Sequence, residues 1–436
     1  MSSERVKPHN RLLIVSAATL LQLGLGTMYA WSFFQSILIK DNHWSHTQAT
    51  IAFSTLIFVF GFGCAWAGFN LNKVGPRRLA TLGGVLYSAS FLAGALALHL
   101  NNPLLFFLGF SVIGGIGSGF AYVTPVSTVA KWFPDKRGPA TAVVVMGFGF
   151  GAVIMSKLMA PQLLAATSGQ LDQVFMWIGV LLGALLIPAA LMLHEAPPGY
   201  QPGGLPIAVA SAVIAQPPTP EKPSLCLSSL QFCVIWSMVF FMGSAGIAVI
   251  SFQSSLIQEI WAHADPSVPA VVLARYGATL IAVSSVFNAL GRLGWATLAG
   301  RMGRIGAFRV MMASQMLVFG LMLTIENPWL FGALVCYVLL CFGGLFGTLP
   351  TLLLDLFGAE RLPVVFGVAL TGFSLSGIGG PLMVAAMQDA YPDRALIYAF
   401  IIAVVGLGTG LALSFLLINR RFRAGKPPLD DLGLAT

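Results

Sequence analysis

Long apolar runs, separated by short polar turns, recur along the whole chain. An α-helix needs about 20 consecutive apolar residues to cross the hydrocarbon core of a bilayer. Twelve runs meet this length, at residues 12–38, 49–70, 79–98, 103–130, 139–164, 172–194, 230–260, 272–299, 307–325, 328–355, 361–388 and 394–418. The turns between them carry Gly, Pro, Asn or charged residues, which are typical of helix ends. The pattern predicts an all-α polytopic membrane protein with twelve transmembrane helices.

One connection is much longer than the others and is rich in proline. It covers residues 195–229 and divides the chain into a first half, 1–194, and a second half, 230–436, with six predicted spans each. An offset of 225 residues aligns Pro125 with Pro350, which indicates that the halves are duplicates. Parallel repeats of this kind form two pseudo-symmetric six-helix bundles with a substrate site between them near the midplane. We therefore predict two bundles joined by a cytoplasmic linker.

Composition excludes a water-soluble protein. Hydrophobic residues make up 57% of the chain and charged residues only 9%, whereas soluble domains have roughly 25% charged residues. Mean hydropathy is +0.85. The net charge of +8 arises from 23 Lys and Arg residues. Of these, Lys40, Arg275 and Arg394 lie on one side of the predicted spans, Lys157 and Arg292 lie within spans, and the remaining 18 lie on the other side.

This charge asymmetry predicts the orientation of the chain. Loops rich in Lys and Arg stay on the cytoplasmic side of a membrane. Both termini and the central linker are therefore predicted to be cytoplasmic, in the inner membrane of the cell. The positive charge is explained by topology, so we expect membrane lipid and no nucleic acid as a partner, and we expect a monomer.

Motifs for enzymatic chemistry are missing from the sequence. The chain has no pattern typical of a nucleophile triad, a metal cluster or a buried acid pair, and its five cysteines have no paired spacing. The phosphate-binding loop Gly-x-x-x-x-Gly-Lys is also missing. We therefore predict no enzyme activity, no cofactor and no metal. Any transport would be secondary, driven by a gradient or by exchange.

A polar stripe crosses the eighth predicted span. Ser284, Asn288 and Arg292 are four residues apart, so they share one helix face. A charged side chain near the midplane costs about 2.5–3.5 kcal/mol and usually faces a cavity or a partner. A guanidinium group binds carboxylates through two parallel hydrogen bonds, and no acidic partner for Arg292 is evident in the sequence. The stripe favours an anionic ligand, and the alternative is that Arg292 only snorkels toward the cytoplasmic headgroups.

Several segments are similar to those of the major facilitator superfamily and, within it, the oxalate/formate antiporter family. The loop Lys73–Arg78 resembles the superfamily signature between the second and third helices, although Asn72 replaces its usual Asp. More specific similarities are Tyr29-Ala30-Trp31-Ser32, Lys131-Trp132-Phe133-Pro134-Asp135-Lys136-Arg137-Gly138, Pro197-Pro198-Gly199-Tyr200-Gln201-Pro202 and Asn288-x-x-x-Arg292. The resemblance implies the major facilitator fold and alternating access.

The same resemblance implies a substrate site. In the oxalate exchanger of that family, an Arg of helix 8 and a Lys of helix 11 hold the two carboxylates of the substrate. Arg292, with Asn288 one turn away, matches the Arg; Phe373 stands at the position of the Lys, and Leu370 replaces a Trp. The aromatic residues around the substrate would be Tyr29, Tyr122, Phe148, Phe342 and Phe346.

Loss of the second cation favours a monocarboxylate such as lactate, pyruvate or formate. A dianion would leave one buried carboxylate without a partner, which is costly. Two alternatives stay open: a dicarboxylate antiporter of the oxalate/formate type, and a drug-efflux carrier of the same fold.

Coupling to protons is not specified by a buried acid. Animal monocarboxylate transporters have an Asp where this chain has Asn288, so their usual proton carrier is missing. Proton symport and anion exchange both remain open, and a proton would move with the substrate or on an end group such as Glu259 or Asp265. Asp135, beside cationic residues, suits a gate whose ion pairs break as the halves rock.

Overall fold

Twelve helical spans run through the part of the chain described by the computed structural model, which is residues 11–41, 44–197, 200, 226–390 and 395–417. All twelve are long and apolar enough to cross a membrane. Their bounds are α1 (Arg11–Leu25, Gly26–Ala30 and Trp31–Asp41), α2 (His46–Val74), α3 (Pro76–His99), α4 (Pro103–Phe106, Phe107–Ile113 and Gly114–Trp132), α5 (Arg137–Ile154, Met155–Met159 and Ala160–Ala166), α6 (Leu171–Leu191), α7 (Leu230–Ala264), α8 (Ala270–Met302), α9 (Arg304–Met322), α10 (Pro328–Phe357), α11 (Leu362–Ala390) and α12 (Ala395–Ser414). The prediction of an all-α protein with twelve spans is confirmed. Most of the predicted linker, 195–229, lies outside the described residues.

Three of the spans change helix type along their length. The segment Gly26–Ala30 of α1 is a 3₁₀ turn, and Phe107–Ile113 of α4 and Met155–Met159 of α5 are π-helical. Such irregular turns inside a helix often occur at functional sites. The turn in α1 contains Tyr29, one of the predicted site residues. Apolar periodicity does not reveal these turns, because one extra or missing residue per turn leaves the run continuous.

Two features occur at corresponding positions in the two halves of the chain. Pro125 lies inside α4 and Pro350 inside α10. The glycines that follow α2 and α8, Gly75 and Gly303, both have positive φ, at 85° and 86°. Only glycine adopts this backbone conformation without strain. Both positions therefore end a helix and begin the next one in the same way.

Two pairs of helices form the largest contacts between the halves. α2 packs along α11, and α5 packs along α8. One polar contact fixes the first pair, because the Ser374 hydroxyl donates a hydrogen bond to the carbonyl oxygen of Ile57 over 2.8 Å. The region between these pairs is the interior of the protein, where the predicted site residues lie.

Three of the four ion pairs found in the described residues lie at one end of the molecule, which we call the basic end. Asp135 accepts two hydrogen bonds from Arg11, at 3.0 and 3.2 Å. Both residues belong to the first half, so this ion pair does not join the halves, and a gating role for Asp135 stays a prediction. Asp355, in α10, pairs with Arg304 over 2.9 Å and interacts electrostatically with Arg137 of the first half. Asp355 therefore interacts with cations of both halves.

Close contact between α8 and α10 depends on two glycines. A Cβ atom at Gly343 would lie 2.0 Å from the carbonyl oxygen of Asn288, and one at Gly347 would lie 2.0 Å from that of Arg292. Small residues four positions apart allow helix backbones to approach closely in membranes. These two glycines set the position of the α8 backbone at the two residues of the predicted anion site.

Replacing Gly347 with alanine is expected to lower thermal stability, because the backbones of α8 and α10 must separate. Overpacking of this kind typically costs about 1–3 kcal/mol. Gly294→Ala is the matched control, since a Cβ there has no heavy atom within 4 Å, and removing glycine from a helix interior stabilises by roughly 0.5–1 kcal/mol. Unfolding temperatures of the purified variants measure the difference. Equal temperatures for the two variants would contradict this packing.

Candidate functional site

The polar stripe of α8 is buried in the protein interior. Ser284 and Arg292 have no exposed surface and Asn288 is 3% exposed, whereas Phe287 and Leu290 on the other faces are 38% and 48% exposed. Arg292 lies ten residues before the end of α8 at Met302, which is about 15 Å along the helix axis. This distance is about half the thickness of the hydrocarbon core of a bilayer. Arg292 does not snorkel to headgroups. Lys157, the other cation within a predicted span, is exposed.

Arg292 has protein partners that the sequence did not indicate. Its Nε donates to Asn288 Oδ1 over 3.2 Å, and its Nη1 donates to the carbonyl oxygen of Val145 over 3.2 Å. Neither partner is an acidic side chain, so these two bonds are not ion pairs. Val145 is in α5, so this second bond links the two halves. The short approach of Gly149 to Ala289, where a Cβ would lie 2.6 Å from Ala289 Cα, brings the helices close enough for it.

Aromatic rings surround the guanidinium group. The rings of Phe148 and Phe346 lie on it, each with its centroid 5.0 Å from the Arg292 Cζ atom. A cation over an aromatic face is stabilised by the ring quadrupole, most strongly where water is excluded. One ring comes from α5 and the other from α10, so both halves contribute to this arrangement.

The remaining predicted aromatic residues complete a connected cluster. Phe148 contacts Tyr29 and Tyr122, with centroids 5.1 and 5.3 Å apart. Phe346 contacts Phe342 and Phe373, at 5.1 and 4.9 Å. All eight predicted site residues are therefore brought together around one buried charge. Phe60 of α2, which the sequence did not single out, extends the cluster with its ring 5.2 Å from that of Tyr122.

Two polar atoms in this cluster make no hydrogen bond of good geometry among the described residues. They are Arg292 Nη2 and the hydroxyl oxygen of Tyr122. The phenol groups of Tyr29 and Tyr122 nevertheless lie close enough to the guanidinium for electrostatic and weak hydrogen-bonding interactions with it. A buried group without a partner is expensive and calls for an explanation. An anion between Nη2 and the Tyr122 hydroxyl would satisfy both. Arg292 is also the one fully buried charged residue in the described part of the chain.

Acidic end groups near the far ends of α7 and α8 differ in their suitability as proton carriers. Glu259 is exposed. The Asp265 carboxylate accepts hydrogen bonds from the backbone N–H and the hydroxyl of Ser267, at 3.0 and 2.6 Å. These bonds lower the pKa of Asp265 below its usual value, because they stabilise the charged form. Asp265 therefore stays ionised near neutral pH and is poorly suited to take up a proton.

Comparison with known proteins assigns the family. The sequence profile of the Major Facilitator Superfamily matches residues 16–381. A crystal structure of a double tryptophan mutant of XylE superposes with a TM-score of 0.72, covering 93% of this chain and 95% of that one at 16% identity. At this identity the likeness concerns the fold alone.

Curated relatives share about a quarter of their residues with this chain. The uncharacterized MFS-type transporter YhjX of Escherichia coli (strain K12) is 25% identical over 84% of this chain and 86% of its own length. The oxalate:formate antiporter of Oxalobacter formigenes is 24% identical over 95% and 92%. The apicoplast pyruvate carrier 1 of Toxoplasma gondii is 26% identical over 73% and 65%.

Proposed function

This chain belongs to the Major Facilitator Superfamily, and on that premise we propose that it is a secondary transporter of small monocarboxylates. It is a multi-pass membrane transporter and not an enzyme. The observation that carries the proposal is Arg292, a buried guanidinium between the two halves whose Nη2 makes no hydrogen bond of good geometry with the described residues. Relatives whose names include oxalate, formate and pyruvate support a carboxylate.

A single buried cation favours one carboxylate over two. Phe373, at the position where the family's oxalate exchanger has a Lys, is 1% exposed and packs on Phe346. A second carboxylate in this cluster would meet ring edges and lose its hydration without a cationic partner. The similarity to the oxalate:formate antiporter therefore supports a substrate with a carboxylate group. The aromatic rings around Phe373 support a substrate with only one such group.

Counterflow in proteoliposomes tests the proposal. Vesicles loaded with unlabelled lactate, pyruvate, formate, oxalate or a lipophilic drug are assayed for uptake of the same compound in labelled form. We expect uptake of the monocarboxylates. Oxalate as the preferred substrate would favour the dicarboxylate antiporter, and uptake of the drug alone would favour an efflux carrier. A pH gradient applied across the same vesicles separates proton symport from anion exchange.

The basic end is proposed to face the cytoplasm, as the Lys and Arg distribution indicates. Ala210 lies in the central linker, outside the described residues. A cysteine at this position is expected to react with a membrane-impermeant thiol reagent in inside-out vesicles and not in intact cells. The chain without Ala210→Cys is the control, because Cys233 is itself exposed. Labelling in intact cells would show that the linker faces the outside and would contradict the proposed orientation.

A further inference from the structure

A second buried polar contact lies on the stripe of α8, next to the proposed carboxylate site. The Ser284 hydroxyl donates a hydrogen bond to Gln253 Oε1 over 2.8 Å. Gln253 belongs to α7 and is 2% exposed, and Ser284 is fully buried. The contact lies one helical turn from Asn288, on the side away from the basic end. Neither residue has been given a role by the carboxylate chemistry of Arg292.

The arginine side chain extends along the stripe toward this contact. Long side chains on a helix point back toward its N-terminus. Arg292 follows this rule, because its Nε reaches Asn288 one turn earlier. The guanidinium therefore extends toward Asn288 and Ser284, and the next polar group along the stripe is the Gln253 amide.

Hydrogen-bonding capacity remains at Gln253 after its contact with Ser284. The bond uses the amide oxygen, and an amide has two further N–H donors. The Tyr29 and Tyr122 hydroxyls and the Asn288 amide lie beside the guanidinium, where the carboxylate is proposed to bind. The phenylalanine rings of the site offer no strong hydrogen bond. Beyond these groups, a substrate held by its carboxylate at Arg292 meets the Gln253 amide about one turn, or 5–6 Å, further along α8 than Asn288.

We infer that Gln253 and Ser284 form a subsite for a hydroxyl or carbonyl oxygen carried on the second or third carbon of the substrate. The preferred substrates are then hydroxy- and oxo-monocarboxylates, and unsubstituted acids of the same length bind less tightly. This inference rests on the proposed function, since it requires the carboxylate at Arg292. It adds two specificity-determining residues to that site.

Matched pairs of acids test the subsite. Affinities of the purified protein for lactate and propionate, and for glycolate and acetate, are measured by substrate-dependent thermal stabilisation. A site built to bind a hydroxyl discriminates against the analogue that lacks it. We expect Gln253→Leu and Ser284→Ala each to lower the affinity for lactate and glycolate roughly tenfold, with little change for propionate and acetate. Ser285→Ala is the control, because both serine hydroxyls bond to the Ile281 carbonyl of their own helix but only that of Ser284 bonds to Gln253.

The outcomes separate a binding role from a structural one. Equal losses for both members of each pair would show that Gln253 and Ser284 only hold α7 against α8, and would overturn the inference while leaving the carboxylate site intact. The same result follows if the unaltered protein does not distinguish lactate from propionate. Failure of the unaltered protein to bind any of the four acids would instead contradict the proposed function. The inference would then also be contradicted, because it requires a carboxylate at Arg292. Ser284→Ala is the milder change if Gln253→Leu fails to fold.

Discussion

Replacing Arg292 with lysine is expected to lower the affinity for small carboxylates by about ten- to a hundredfold, although the charge is kept. The planar guanidinium presents two donors to a carboxylate and stacks on the rings of Phe148 and Phe346, and an ammonium group does neither equally well. Arg292→Ala is expected to abolish carboxylate binding. Thermal stabilisation of the purified variants by lactate, with transport measured alongside, gives the result.

Stability must be measured separately from binding in this experiment. Removing Arg292 also removes its bonds to Asn288 and to the Val145 carbonyl, so some loss of stability is expected without ligand. Arg309→Lys is a matched control, because Arg309 bonds to Ser414 and lies over the Phe415 ring, outside the site. Binding of lactate by Arg292→Ala at the level of the unaltered protein would show that Arg292 is only a structural link.

Replacing Phe373 with lysine is expected to change the preference of the site from monocarboxylates to small dicarboxylates. Phe373 packs on Phe346, whose ring also covers Arg292, so a lysine here would place a second cation in the same cluster. A charged partner for the second carboxylate is worth roughly 1.5–3 kcal/mol, which corresponds to a tenfold or larger gain in the affinity ratio of oxalate to lactate. Both affinities are measured on the purified variant.

Phe373→Met controls for the loss of the ring at this position. Methionine has a flexible apolar side chain and adds no charge, so it is expected to leave the ratio near that of the unaltered protein. Equal ratios for the lysine and methionine variants would mean that the second cation does not reach the substrate. The argument for a monocarboxylate from Phe373 would then fail.

The sequence indicated the α8 stripe because polar residues four apart are conspicuous in an apolar helix. Six aromatic site residues came instead from family resemblance, since phenylalanines are frequent throughout the spans and no spacing separates site from core. Gln253 was missed because it lies among other polar residues, Ser251, Ser254 and Ser255, so periodicity does not single it out.

Contacts distant in sequence were the least predictable. The Val145 carbonyl is a backbone group, so residue type carries no information about it. Asp135 has Lys131, Lys136 and Arg137 as close neighbours in sequence, yet its partner is Arg11, 124 residues away. The cation that pairs with an acid at the basic end depends on how the helix ends are arranged in space. The sequence pattern predicts only the order of the helices along the chain.

The bond from Arg292 to Val145 affects the step in which the substrate-free transporter changes from one access state to the other. An empty carrier must close around an arginine that has no anion, and an unpaired charge in a dry site opposes closure. In this protein the Val145 carbonyl, the Asn288 amide and the rings of Phe148 and Phe346 stabilise the charge of Arg292 and reduce this cost. The substrate-free protein is thus expected to return without a counter-substrate, so that net efflux of lactate into substrate-free buffer proceeds at a rate comparable to exchange. Efflux that requires an external carboxylate would show that this self-solvation is insufficient and that the carrier is an obligate exchanger.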